Sequence, residues 1–376
     1  MLTTAAQVLF DTVRACSESE INVEFAMEDN VHWCTCSSCT ASKNTYGADV
    51  AAVIKFCNEL HAILDQMMSA VNDYRTVNLI FFAYTVCEDA PVKTNSDGSY
   101  SPIDQSVVCA KNVYPMYALA YGEFTSPLGS SDFEGRNQAT KLPTDYYNNL
   151  KKWSCITDKL YIWTYGTSFY DLFIPYDSIT YLQQTLQVLS EFNVHYIFQE
   201  GAHFSNAPNV TGFTVFKDYL SGKLMWDVNA NASQITDTFF KEYFGSASGS
   251  MRKYYDELLA QCQAQKTISG YDANTMNGEF LKTSYWPESK LKTWLNYIDQ
   301  AYADIEYLKD VDMQRYLVLK DRINLESIGV RYLLANLYST SLEFRQEFKN
   351  DVIYFGYTYV GFRYSNIQTL WNKLGV

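Results

Sequence analysis

The sequence predicts an α/β fold of parallel strands, the pattern of an open sheet or of part of a (β/α)8 TIM-type barrel, followed by an all-α C-terminal domain. Three observations predict it. Strand-length apolar runs alternate with helical stretches through the first half of the chain. One run, Val77-Asn78-Leu79-Ile80-Phe81-Phe82-Ala83-Tyr84, is apolar almost without a break, as a strand covered on both faces must be. Beyond about residue 210 strand signals stop, and only helical three- and four-residue spacing continues.

The elements follow in order. Residues 3–16 read as a helix. Residues 21–27 read as a half-buried strand, because Ile21, Val23, Phe25 and Met27 alternate with Asn22, Glu24 and Ala26. An amphipathic helix covers about 46–73, with Val50, Val53, Ile54, Cys57, Leu60, Leu64, Met67, Met68 and Val71 as its apolar positions. After the strand at 77–84, the turn-rich stretch Lys93-Thr94-Asn95-Ser96-Asp97-Gly98-Ser99 separates it from a third strand. That strand is expected from Val107 through Val113 and Tyr114. A helix at about 144–154, a strand at 159–165 and a helix at about 178–192 come next. The last strand, Val194-His195-Tyr196-Ile197-Phe198, leads into Gln199-Glu200-Gly201.

Helical patterns then occupy 212–227, 233–244, 248–266, 287–309, 311–342 and 344–351. Turn residues Asn206-Ala207-Pro208-Asn209 suit a boundary. Residues 1–208 are therefore expected to form the barrel-type domain and 209–376 the helical one. A closed barrel needs eight strands and typically about 250 residues. Five strands predict either an open sheet or the later part of a barrel whose first strands lie outside this chain.

Composition narrows the function classes. The net charge of −13 argues against nucleic acid and anionic membrane surfaces, which need clustered Lys and Arg. Aromatic residues make up 16% of the chain, 31 of them Tyr, 22 Phe and 7 Trp. Rings with hydroxyl tips suit stacking on sugars, although they also simply fill cores. No apolar run is long enough for a transmembrane helix. Met1-Leu2-Thr3-Thr4 opens an amphipathic helix and not a signal peptide.

The densest chemistry follows the first strand. Glu28-Asp29-Asn30 ends it, and His32-Trp33-Cys34-Thr35-Cys36-Ser37-Ser38-Cys39 comes directly after. The C-x-C-x-x-C trio supplies three thiolates for a structural zinc, which wants four ligands; His32 or Cys87 is a candidate fourth. A disulfide between Cys39 and Cys34 or Cys36, or three free thiols, are the other readings. The remaining cysteines, scattered singly, read as small buried hydrophobes.

Strand ends are where α/β folds bind ligands. Glu28 and Asp29 end the first strand and Glu200 the last, so carboxylates from both would face one mouth, as glycoside hydrolysis requires. They also read as solvated strand ends. Tyr84, Tyr114, Trp163 and Tyr165 crowd the same ends as candidate sugar contacts, with Trp163 equally readable as core. His195 and His203 read as a packed strand residue and a loop residue. There is no Gly-rich phosphate loop, G-x-S-x-G elbow or H-E-x-x-H pair.

Asp29-Asn30 with Cys34, Cys36 and Cys39, the run Tyr161-Ile162-Trp163-Thr164-Tyr165, the run from Tyr219 to Asp227, and Phe239-Phe240-Lys241-Glu242-Tyr243-Phe244-Gly245 resemble a family of uncharacterised bacterial proteins with glycoside-hydrolase-like barrels. The family is common in glycan-degrading gut bacteria. The resemblance spans about residues 20–260. It implies a (β/α)8 barrel distantly similar to α-glucuronidases and β-hexosaminidases, with the five strands as the last five of eight. It also implies a bacterial extracellular or cell-surface location. Glu28-Asp29 falls where β-hexosaminidases carry an Asp-Glu pair, in reversed order.

The expected function is a carbohydrate-active protein of glycoside-hydrolase type acting on a glycan or oligosaccharide. Glu28, Asp29 and Glu200 are its acid/base candidates, and Asn30, Tyr84, Tyr114, Trp163 and Tyr165 its substrate contacts. Cys34, Cys36, Cys39 and His32 are the metal ligands, and no organic cofactor is expected. The alternatives are a non-catalytic glycan-binding module or a structural protein.

Overall fold

The structure is a computed structural model that describes residues 1–133, 135–201, 212–276, 279–361 and 366–376. His203 and the expected boundary at 206–209 lie outside the described residues. About 51% of the described residues are helical.

In the N-terminal half, α1 (Leu2–Ala15), β1 (Glu20–Phe25), α2 (Ser37–Tyr46), α3 (Val50–Ala70) and β2 (Thr76–Ala83) come first. The short strands β3 (Val92–Thr94) and β4 (Tyr100–Pro102), then β5 (Val113–Ala118), α4 (Tyr146–Trp153), β6 (Leu160–Tyr165), α5 (Leu182–Ser190) and β7 (Val194–Glu200) follow. Five parallel strands, in the order β1-β2-β5-β6-β7, curl into half of a barrel. Helices join β1 to β2, β5 to β6 and β6 to β7, the βαβ pattern expected from the sequence, while β2 reaches β5 through the β3–β4 hairpin.

The chain divides into two compact units. The first comprises Met1–Tyr121, Glu134–Thr164 and Val188–Phe198, and so holds the sheet except for the last residues of β6 and β7. One face of its strands packs on helices: Phe25 of β1 stacks on Phe56 of α3 at 5.3 Å, and Phe81 of β2 lies 6.2 Å from Trp153 of α4. The other face carries the cluster Ile80, Tyr114, Met116 and Tyr161, with Phe82 and Trp163 packed against it. Arg75 fastens the end of α1, donating to the carbonyls of Val13 and Cys16 at 3.1 and 2.7 Å.

The second unit comprises Gly122–Phe133, Tyr165–Gln187 and Gln199–Val376. It contains α6 (Thr214–Trp226), α7 (Ala232–Phe244), α8 (Ser248–Gln265), α9 (Glu288–Ile305), α10 (Leu308–Val311), α11 (Met313–Leu337), α12 (Leu342–Tyr354) and α13 (Ile367–Leu374). Phe213 sits at the heart of its aromatic core, against Phe240, Tyr254 and Tyr255. The expected helix at 311–342 begins at Asp312, whose side chain accepts the Arg315 N–H and separates α11 from α10.

Three differences from expectation have physical causes. The third main strand lies at 113–118 and not from 107: Val107 closes a single 3-10 turn (Gln105–Val107), and Asn112 adopts a left-handed conformation just before the strand. The stretch at 93–99 is the turn of a hairpin, β3 pairing antiparallel with β4 around Asp97-Gly98. Helix α2 was not expected, because it buries none of its residues and leaves no apolar period to read.

Candidate functional site

Parallel strands deliver all their C-terminal ends to one side. The register sets which residues are level there. Ala83 of β2 pairs with Tyr117 of β5, and Ala118 of β5 pairs with Trp163 of β6. One step further along β2 therefore brings Tyr84 level with Ala118 and Trp163. Because Ala118 is small, Trp163 reaches over it to Phe82, at 5.5 Å between centroids. Tyr84 lies 5.8 Å from Phe82, and Trp163 lies 4.3 Å from Phe198 of β7. The result is a strip Tyr84–Phe82–Trp163–Phe198 on the face that carries Ile80 and Met116. Its rings tilt against one another by 54–67°, and Phe198 keeps 37% of its surface exposed.

Asp29 meets this strip at one end. The Tyr84 hydroxyl donates to its Oδ1 at 2.5 Å. Burial, and then the Asp29 carboxylate, push the Tyr84 phenol upward, so it stays protonated and remains a donor. Asn30 shapes the turn beside it. Its amide donates to Glu28 Oε2 at 3.1 Å, and its Oδ1 accepts the His32 N–H at 2.8 Å. Glu28 and Asp29 are both exposed. Asp29, Tyr84 and Trp163, read separately from the sequence, thus fall on one unit and one end of its strands.

The other candidates are placed differently. Tyr114 lies at the N-terminal and not the C-terminal end of its strand. It is the second residue of β5, 1% exposed, and stacks on Tyr161 at 5.6 Å within the core. The misplaced start of the strand put it at the wrong end. Tyr165 closes β6 and is buried against Phe124 and Phe169 of the second unit. Glu200 closes β7, also in the second unit, where its carbonyl accepts the Gly166 N–H at 2.9 Å.

The thiol loop leads into α2. Cys36 is the residue before its first turn, and Cys39 lies within that turn. The Sγ atoms of Cys34, Cys36 and Cys39 all lie within 4.8 Å of one another, a group that could hold a metal ion. All nine cysteines are free. The Cys39 backbone amide, and then the thiols of Cys34 and Cys39, lower Cys36 to about 7, while Cys39 rises to about 11 chiefly through Cys36. His32 is exposed and stands outside this group, and Cys87 is buried with its Sγ on Met27 Sδ at 4.0 Å.

Sequence reasoning passed over Phe82 and Phe198, which read as plain strand residues, and it passed over Glu88. Glu88 follows β2 and is 5% exposed. Its carboxylate accepts from the Asn137 amide and, at 3.3 Å, from the Thr144 hydroxyl, while its carbonyl accepts the Trp153 indole N–H at 2.9 Å. These bonds tie residues 137–144 to the loop after β2. Burial pushes Glu88 up to about 7 despite those donors. An acid five residues after an apolar strand carries no sequence mark of its burial.

With this geometry in place, comparison with known proteins adds the family. Residues 3–256 match the family described as a domain of unknown function, DUF4838, and the chain belongs to it. A comparison with curated proteins finds no match. Among solved structures, a similar chain is a GH138 enzyme targeting pectin rhamnogalacturonan II, at 10% identity and a TM-score of 0.37. The match covers 78% of this chain and 38% of that one, so the chain spans little more than a third of that enzyme's length. No described helix is long and apolar enough to cross a membrane.

Proposed function

We propose that the protein is carbohydrate-active and of glycoside-hydrolase type, with the Tyr84–Phe82–Trp163–Phe198 strip as its sugar platform and Asp29 as the acid/base group at its end. The observation that carries this reading is the Tyr84–Asp29 hydrogen bond at the end of that strip. Sugar rings present apolar C–H faces and a hydroxyl rim. A row of rings meets the faces, and a carboxylate with an aligned phenol meets the hydroxyls or a glycosidic oxygen. Glu28 and Glu200 are the further carboxylates of the reading, and a structural zinc on Cys34, Cys36 and Cys39 is its cofactor. An extracellular or cell-surface location belongs to the same proposal, since polymeric glycans are met there.

The test begins with a glycan array, followed by binding and hydrolysis assays on the hits. Trp163→Ala is expected to weaken binding roughly two- to tenfold, given the roughly 0.5–1.5 kcal/mol of an aromatic contact beyond its buried area. Asp29→Asn should abolish turnover while binding persists, and Glu200→Gln tests the second carboxylate in the same way. Binding without turnover by the wild type would replace the hydrolase reading with a glycan-binding module. Absence of any glycan binding would overturn both.

A further inference from the structure

Helix α2 presents a problem of stability. Its sequence, Ser-Ser-Cys-Thr-Ala-Ser-Lys-Asn-Thr-Tyr, is ten residues long and mostly Ser, Thr, Asn and Cys. These are poor helix formers, and isolated helices below about 12–15 residues are marginal in water. Most protein helices are held by an apolar face, yet α2 buries none of its residues. Its Gly47 C-cap and the Lys43–Asp49 ion pair at 2.6 Å secure one end. At the other end stand the three thiols.

We propose that Cys34, Cys36 and Cys39 form an open three-thiolate site for one soft d10 ion, Zn2+ or Cd2+, which fastens the first turn of α2 and leaves its fourth coordination position to solvent. The proposal rests on the zinc reading of the same thiols and adds the fastening role and the open position. Three sulfurs sharing one ion at about 2.3 Å stand roughly 3.8–4.0 Å apart, from tetrahedral or trigonal geometry. The sulfurs already lie within 4.8 Å of one another, so small side-chain rotations close the site. Three thiolates on a divalent ion leave one negative charge, which the positive end of α2 offsets, and the first turn holds no acidic residue.

The open position follows from where the neighbouring ligands are. Glu28 and Asp29 lie outside the sulfur group and are turned toward Asn30 and Tyr84, and Cys87 is buried against Met27. Among the described residues the close group holds the three sulfurs and no fourth ligand, and Cys34 and Cys36 face solvent.

The experiment uses the full chain, reduced and metal-free. Cd2+ titration followed by the ultraviolet thiolate charge-transfer band should give one ion per chain. Cys36→Ser and Cys34→Ser should each weaken binding by well over tenfold, since even a residue behind a ligand is worth about 10–100-fold. With free Cd2+ about 100-fold above its Kd, amide exchange across residues 37–46 should slow by about 100-fold, because opening that loses the ion is suppressed by that factor. In the Co2+ form, added imidazole should shift the visible bands, and His32→Ala should leave the spectrum unchanged. No stoichiometric binding would defeat the zinc reading and this proposal together. Binding with unchanged exchange at 37–46 would overturn the fastening role alone. A spectrum blind to imidazole, or altered by His32→Ala, would overturn the open position alone. None of these outcomes bears on the glycan reading, which the array tests separately.

Discussion

Replacing Glu88 by glutamine should make the protein more stable than the wild type at pH 8 and leave the two nearly equal near pH 4. The carboxyl is pushed from an ordinary 4.5 to about 7, first by burial. A raised acid binds its proton more tightly folded than unfolded, so between 4.5 and 7 the folded state holds more protons. Stability from this group is therefore complete below pH 4.5, falls as pH rises through that window, and levels off above it. A shift of about 2.5 units corresponds to about 3 kcal/mol at 1.36 kcal/mol per unit. At roughly 2–4 °C per kcal/mol for a unit of 150–250 residues, the wild type should lose about 6–12 °C relative to Glu88→Gln between pH 4 and 8. Glutamine keeps an oxygen for the Asn137 amide, so the tie to residues 137–144 survives the change. Thermal unfolding of both proteins, followed by tryptophan fluorescence across that range, reads the difference directly. Asp171 and Glu326 are also raised by burial, to about 6 and 7, so only the difference between the two proteins isolates Glu88. A difference that does not change with pH would refute the reasoning.

Tyr84→Phe removes the hydroxyl that holds Asp29 and should cost about 1 kcal/mol of stability, below the roughly 1.5–3 kcal/mol of a hydrogen bond to a charged group because Asp29 is exposed. It should also reduce glycan affinity, measured on the array hits. Gly135→Ala should destabilise by about 1–3 kcal/mol, as overpacking does. A Cβ there would stand 2.0 Å from Tyr146 Cε2, and Tyr146 is itself buried. The double mutant with Tyr146→Ala should show less than additive loss; full additivity would mean that the two do not meet.

The strands were legible because each carries its own pattern. Ile21, Val23 and Phe25 alternate, and Val77 to Tyr84 runs apolar, so both strands could be placed to within two residues. The third strand was misread because Val107, Val108 and Cys109 are as apolar as a strand while forming a turn and its exit. That error moved Tyr114 from the core to an expected strand end. Helix α2 was invisible, since periodicity records only burial and α2 buries nothing. The thiol trio stood out in the sequence because its ligands are adjacent along the chain.

What the chain order alone determined is local: alternating strands and helices, acids and rings at particular strand ends, three thiols in one loop. Tertiary structure decided the relations between distant segments. The step of register between β2, β5 and β6 sets Tyr84 level with Trp163, and Ala118 between them leaves room for Trp163 to reach Phe82. Burial, which depends on what the rest of the chain packs around a residue, decided that Glu88 is a raised acid while Asp29 faces solvent. Periodicity is written residue by residue, but register and desolvation are properties of neighbours that only folding brings together.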